Sequence, residues 1–305
     1  MKKSALKFSL AVFVCVSLSS LADTVYSFQT AFFPGDTFTQ LLGINNFGTI
    51  AGYNGSGATG HPNKGFLLTL PHQFTDYNFP GSVQTQVVGI NSRRDPAGVD
   101  TVGFYIDTKG VTHGFRAHGL FFRSVDFPDP TSVLTQLLGL NDLGLDVGYW
   151  QNAAGTQFPF TKSGAIFTPL NPLLPANTSA QATGVNNAGD VSGFYVDAAG
   201  VNHGFLLHKG VVTRLDFPGA TFTQALGLNN RQQVVGFYMD VAGNSHGFLY
   251  DAKELEYQSV NIPRGVDSTT INGINDVGQI VGFFVDPITG NTNGFVGRIA
   301  RCVEN

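Results

Sequence analysis

Cysteine is almost missing from this chain, with Cys15 and Cys302 the two residues present. Cys15 falls in an N-terminal segment that is expected to be removed, which leaves Cys302 as a free thiol and rules out an intramolecular disulfide. The fold must then be held by its core alone. Charge is also scarce: Asp, Glu, Lys and Arg make up 12% of the residues, and the balance is acidic at −4. A nucleic-acid partner would want a basic footprint, which this composition does not supply. Beyond the N-terminal segment no apolar run is long enough to span a membrane as a helix. Missing too are a Gly-x-Ser-x-Gly elbow, a phosphate-binding loop and a paired metal motif. The sequence therefore gives no reason to expect a cofactor or a metal.

The N-terminal segment MKKSALKFSLAVFVCVSLSSLA carries Lys2, Lys3 and Lys7, a short apolar run and the small-residue exit Ser20-Leu21-Ala22. That is the pattern of a secretory signal peptide cleaved after Ala22. Val14 before Cys15 does not suit a lipoprotein signal. Residues 23–305 are expected to form one exported, soluble domain, periplasmic or secreted. Losing three lysines and no acids makes the mature chain more acidic still.

What is abundant is glycine, 38 residues, and phenylalanine, 27 residues. Both suit short strands and tight turns over long solvated helices. They are also periodic. The marker Gly-[Ile/Leu/Val]-Asn begins at Gly43, Gly89, Gly139, Gly184, Gly227 and Gly273, at intervals of 43 to 50 residues. The longest interval contains an insertion, SRRDPAGVD at 92–100. Within the fourth unit, breakers divide the chain into runs near 180–186, 190–197, 201–208 and 211–217. These are separated by Asn186-x-x-Gly189, Asp197-x-x-Gly200 and Gly210, and stopped by Pro218-Gly219. Four short runs without a helical period predict a four-stranded antiparallel meander. Six such units predict an all-β, six-bladed propeller.

The ends of the chain make the same point. The last unit stops after its third run, near Asn293-Gly-Phe-Val296. The mature N-terminus begins with VYSFQTAFFPG, a fourth run and Pro step with no strands before it. Joining the two completes the sixth blade and removes an exposed sheet edge.

The repeat G-I-N-x-x-G-x-[VI]-x-G-[FY]-Y-x-D-x-x-G-x-x-H-G-F-L resembles the bacterial extracellular HAF repeats, named after a His-Ala-Phe triplet. Here the triplet reads His-Gly-Phe at His113, His203 and His246, and Asn-Gly-Phe, Lys-Gly-Phe and Phe-Pro-Phe elsewhere. The resemblance implies an exported bacterial protein of propeller-like repeats, and implies no reaction.

Candidate sites follow from two sources. Asp107, Asp197 and Asp240 each precede a histidine by six residues (His113, His203, His246), as an acid–base or metal pair would. A three-residue turn, however, sets His203 opposite Tyr195, His113 opposite Tyr105 and His246 opposite Tyr238, leaving the aspartates to the turns. These six are read as structural repeat positions. The Thr-Gln pairs before the markers (Thr39-Gln40, Thr85-Gln86, Thr135-Gln136, Thr223-Gln224, with Gln181 in the fourth unit) either line the channel for a ligand or satisfy crowded backbone groups. The second needs no ligand and is the default. Departures from the repeat point elsewhere. Arg93, Arg94 and Asp95 in the insertion are candidate ligand contacts, the two adjacent arginines for a carboxylate or sulfate. Trp150, aligned with Ile106, Val196 and Met239, is a candidate for stacking on a sugar if exposed and for packing if buried. Trp150 and His61 are expected on the face opposite the arginines. The function expected is non-catalytic binding of a glycan or another extracellular protein. The alternatives are a polysaccharide hydrolase or lyase and a structural envelope component.

Overall fold

The computed structural model describes residues 25–93, 95–96, 98–176 and 179–300. The expected signal peptide, Arg94 and Cys302 lie outside the described residues. The six repeats form six four-stranded antiparallel sheets. In blade 4 the strands run Ser179–Val185, Val191–Val196, Asn202–His208 and Val211–Leu215 from the axis outward. Blades 2 and 3 have the same plan, with inner strands Gln84–Ile90 and Ser132–Leu140. The innermost strands touch their neighbours in order around the ring, and Thr39–Ile44 of blade 1 meets Thr270–Ile274 of blade 6. Two single-turn 3-10 segments are the described helical elements, so none is long and apolar enough to cross a membrane.

Blade 6 is built from both ends of the chain. Its outermost strand is Tyr26–Ala31, which pairs antiparallel with Thr292–Ile299 from Tyr26 opposite Ile299 to Ala31 opposite Gly294. Six successive pairings replace what would be an open edge. The expected closure of the ring is the one observed.

Packing explains why the repeat has its letters. The triplet phenylalanine is Phe66, Phe115, Phe160, Phe205, Phe248 or Phe295, and each is fully buried. A fully buried phenylalanine contributes on the order of 1.5–3 kcal/mol. The marker glycine sits where adjacent inner strands come closest: a Cβ on Gly139 would meet the Thr183 carbonyl oxygen at 2.8 Å and the Gly184 Cα at 3.2 Å. The glycine before the aromatic of the second strand has a similar constraint. A Cβ on Gly193 would collide with the Gln181 carbonyl oxygen and the Phe205 ring.

The threonine of each Thr-Gln pair is a latch. Oγ1 of Thr39, Thr85, Thr135 and Thr223 accepts the N–H of Phe33, Phe79, Phe127 and Phe217 at 2.9–3.1 Å, where the chain crosses from one blade to the next. Thr269 does the same for Ile262. All five are buried. Thr135→Val keeps the shape and strands one N–H, which should cost about 1–3 kcal/mol. A urea titration is expected to show a lower midpoint at unchanged slope; an unmoved midpoint would refute the latch.

Candidate functional site

The axis narrows like a funnel toward one end. Its floor is formed by the Asn-x-x-Gly turns that follow each marker. In these turns the marker asparagine works twice: Asn186 Oδ1 accepts the N–H of Ala188 and Asp190, while its Nδ2 reaches the Asn229 carbonyl of the next blade. The following residue, Asn46, Ser92, Asp142, Asn187, Asn230 or Asp276, completes a second circle. Each donates its backbone N–H to the side-chain oxygen of the next, from Asn46 to Ser92 and onward until Asp276 returns to Asn46, at 2.6–2.9 Å. The ring is thus tied at the axis as well as at its outer seam. The insertion disturbs this pattern at blade 2, where Asn91 turns onto Asp100. In blade 1, which faces this turn, the buried Asn45 Nδ2 has no partner among the described residues. In blade 5, where the turn glycine is replaced, Gln232 itself takes the left-handed conformation at φ 64°. Its amide then bridges to Asp190 and His208 of blade 4.

Above the floor, every inner strand carries a bulge just before the marker, as between Ala182 and Gly184 or Leu137 and Gly139. A bulge re-aims a side chain. The bulged residues Leu42, Val88, Leu138, Thr183, Leu226 and Asn272 line a narrow waist, four of them aliphatic and two polar. The funnel then widens into a vestibule of about 440 Å³, lined by Gln86, Gln136, Gln181 and Gln224 with Phe104 and Phe194. Period-two alternation explains the division of labour, because adjacent residues on a strand face opposite sides. The threonine points into the blade, and Gln86, Gln136, Gln181 and Gln224 face the channel, whereas Gln40 is outside the vestibule lining and accepts the Tyr53 hydroxyl at 2.9 Å.

The hydrogen-bonding state of these amides matters. Gln181 donates to Gln157 at 3.0 Å and Gln224 to Asn202 at 2.9 Å, leaving their carbonyl oxygens available. Gln86 and Gln136 line the same cavity and make no side-chain hydrogen bond to protein among the described residues. A primary amide offers two donors and an acceptor with two lone pairs. Lining it all round are amides, hydrocarbon, Thr183 and Asn272, with no ionisable side chain among the described residues. Tyr149, on the neighbouring strand, is buried, and burial pushes its hydroxyl up to about 12, so it stays protonated.

The sequence-selected residues lie elsewhere. The register sets His203 opposite Tyr195, His113 opposite Tyr105 and His246 opposite Tyr238. Asp197 Oδ1 accepts the N–H of Ala199 and Val201, while Oδ2 lies 3.1 Å from His203 Nε2. The aspartate therefore serves its turn and also touches the histidine. The sequence reading missed the second partner: His203 Nδ1 is 2.9 Å from Asp216, and His113 Nδ1 is 2.8 Å from Asp126. Both come from the Asp-Phe-Pro step, whose recurrence in register was the available signal. Asp107 lies 3.6 Å from His113, and Asp240 3.1 Å from His246. The clamps to Asp126 and Asp216 tie a hairpin to the outer strand in two blades, and in a third Asn261 Nδ2 takes that place, 3.4 Å from His246 Nδ1. No group of three or more His, Cys, Asp or Glu side chains is arranged to hold a metal among the described residues.

Asp240 is held down to about 2, first by His246 and then by the Asn244 N–H. Its contribution to the turn is present above the ordinary carboxylate range and is lost only as pH falls through about 2. A carbon-13 NMR titration of the Asp240 carboxyl should give that midpoint; a midpoint at the usual value of about 3.9 would refute the clamp.

Trp150 requires a correction. It stands opposite Thr135, as Tyr105 stands opposite Thr85 and Tyr238 opposite Thr223. It therefore replaces the repeat tyrosine, one position earlier than the aliphatic residue it was aligned with. Its ring is stacked between Phe127 at 5.1 Å and Phe158 at 4.4 Å, and it is 9% exposed. Blade 3 thus exchanges the Tyr–His pair of its neighbours for Trp–Phe, and Trp150 has no face for a sugar. Arg93 is exposed beside Ser92 on the floor side, away from the vestibule. Asp95 lies 3.7 Å from His118 of its own blade. His61 is held by Asp36 at 2.9 Å.

No protein-family model matches this chain, and no curated protein matches it. Solved structures do. A variant of the Aleuria aurantia lectin in complex with Fucα1-6GlcNAc aligns with a TM-score of 0.55 at 10% identity, covering 90% of this chain and 97% of that one. SapL1 lectin in complex with α-methyl fucoside gives 0.55 at 9% identity, covering 88% and 98%. The structure of AofleA from Arthrobotrys oligospora gives 0.50 at 12% identity, covering 91% and 83%. The likeness is one of fold. Another structure of the Aleuria lectin, with a TM-score of 0.53, is described as a six-bladed β-propeller. That is the architecture found here.

Proposed function

We propose that the chain is an exported, non-catalytic glycan-binding propeller of the HAF-repeat kind, whose axial vestibule receives a neutral sugar unit. The observation that carries this is the group of four glutamine amides, with Gln86 and Gln136 unpaired, set over Phe104, Phe194 and a waist of four aliphatic side chains with Thr183 and Asn272. Amides match the donor–acceptor pattern of neighbouring hydroxyls, and aromatic and aliphatic groups match the C–H faces of a sugar. A volume of about 440 Å³ is within the range of small-ligand pockets. General acid–base cleavage needs an ionisable group within reach of the scissile bond, and the lining supplies none among the described residues. Support of a coarser kind comes from the lectins of similar fold whose structures are in complex with Fucα1-6GlcNAc and α-methyl fucoside. Export rests on the N-terminal lysines, apolar run and Ser-Leu-Ala exit. The test is to incubate residues 23–305 with insoluble neutral polysaccharides and assay both retention and new reducing or unsaturated ends. Retention without new ends is the expected result. Turnover, or no retention on any of them, would overturn the reading.

A further inference from the structure

Outside the vestibule, between blades 2 and 3, lies a second concavity of about 620 Å³ that shares no residue with it. Three cations converge there: Arg116, Arg123 and Lys162. The repeat does not require them. Where blade 2 has Arg116, blades 1, 4, 5 and 6 have Leu67, Leu206, Leu249 and Val296; where blade 3 has Lys162, blades 1 and 4 have Leu68 and Leu207. Two aliphatic positions have been exchanged for charges at this one seam. Placing charge where hydrocarbon serves costs desolvation energy and adds nothing the other blades need.

The charges are organised around a buried carboxylate. Asp146 is 1% exposed and receives Arg116 Nη1, with Lys162 Nζ at 3.6 Å. Burial pushes its carboxyl up while Arg116 and Lys162 pull it down, and burial prevails. Arg116 is further fixed by Asp100 at 2.8 Å, which His118 also contacts at 2.7 Å. The fork of Arg116 is thereby occupied, whereas Lys162 keeps donors to spare. Its Nζ lies 5.9 Å from the centroid of Phe167, an aromatic wall of the same cleft. Arg123 is exposed and makes no hydrogen bond or ion pair among the described residues. The remaining acid of the lining, Asp126, is engaged by His113. What is left unpaired in the cleft is one guanidinium, Arg123, and part of one ammonium, Lys162, with the Phe167 ring in the same lining.

We propose that this cleft binds an acidic sugar unit, its oxyanion held between Arg123 and Lys162 and its ring laid against Phe167. The oxyanion is the carboxylate of a uronate or a sulfate ester, which offer the same acceptor chemistry to these donors. Such a site is separate from the vestibule, so one propeller would hold a mixed polysaccharide at a neutral and an acidic residue.

The test is calorimetric titration of residues 23–305 with uronate-containing and sulfated oligosaccharides and with neutral counterparts of equal length. Arg123→Ser removes an exposed side chain without a protein partner, so folding is retained, and acidic-ligand affinity should fall about tenfold or more. Lys162→Gln gives a second loss, read against its own melting curve because Asp146 loses a partner. Raising the salt concentration should weaken acidic binding and leave neutral binding unchanged. A Gln86→Leu/Gln136→Leu variant, which alters only the vestibule, should keep acidic binding intact. Whichever acid binds names the oxyanion. Parent affinity in Arg123→Ser, loss of acidic binding in the glutamine variant, or displacement by inorganic sulfate as effective as the sugar would each overturn the proposal.

Discussion

A chain lacking residues 25–33 should lose its cooperative unfolding transition. Those residues supply the outer strand of blade 6, six pairings with Thr292–Ile299. They also supply packing on both sides of the seam. Phe28 meets Phe295 edge-on at 5.6 Å, Ala31 is fully buried in the core of blade 1, and Phe33 packs on Phe66 and Phe74. Strand hydrogen bonds contribute about 0.5–1.5 kcal/mol each, and burying a large apolar side chain about 1.5–3 kcal/mol. Their sum is comparable to the whole stability of a typical domain, about 5–15 kcal/mol. The truncated chain would also expose the edge of Thr292–Ile299, inviting association. Denaturant titrations followed by the fluorescence of the sole, buried Trp150 and by far-UV circular dichroism should coincide in the parent. In the truncated chain they should be broad and separate. A truncated protein that melts like the parent would show that the ring does not depend on this seam.

The second large effect is on binding. Gln86→Leu together with Gln136→Leu should lower affinity for a neutral glycan by about tenfold to a hundredfold. Neither amide has a protein partner among the described residues, so the substitutions remove only what a ligand would use. Two lost hydrogen bonds at about 0.5–1.5 kcal/mol each, about 1–3 kcal/mol together, account for that range. Misfit of hydroxyls against leucine, where a buried polar group is left unpaired, pushes the loss toward its upper end. Melting temperature should stay within a degree or two of the parent, because both residues are only half-buried and neither amide holds a protein partner among the described residues. Unchanged affinity with an unchanged fold would remove the vestibule from consideration.

The architecture was legible because its signals are periodic and local. The marker glycines recur because inner strands nearly touch at Gly139 and Gly184, and the truncated last repeat announces the strand that completes it. The two roles of Thr-Gln were within reach too, since neighbours on a strand face opposite ways. Three features were harder. The misplacement of Trp150 by one position came from aligning on residue type; counting from Gly148 gives the register. The axial circle from Asn46 to Asp276 leaves only a weak trace, a position that is always Asn, Asp or Ser. The Arg116–Asp146–Lys162 seam leaves less, because it joins residues of two blades through side chains that no period records. It is visible in sequence only as charge where the repeat has leucine.

The most direct measurement of the central claim, that ligand enters at the glutamine mouth of the axis, is a nitrogen-15 NMR titration of side-chain amides with a neutral oligosaccharide. The expected result is saturable shifts of the Gln86, Gln136, Gln181 and Gln224 resonances, with Asn187 and Asn230 at the opposite end unmoved. Shifts confined to the floor asparagines or to the blade rims, with the four glutamines silent while ligand binds, would contradict it.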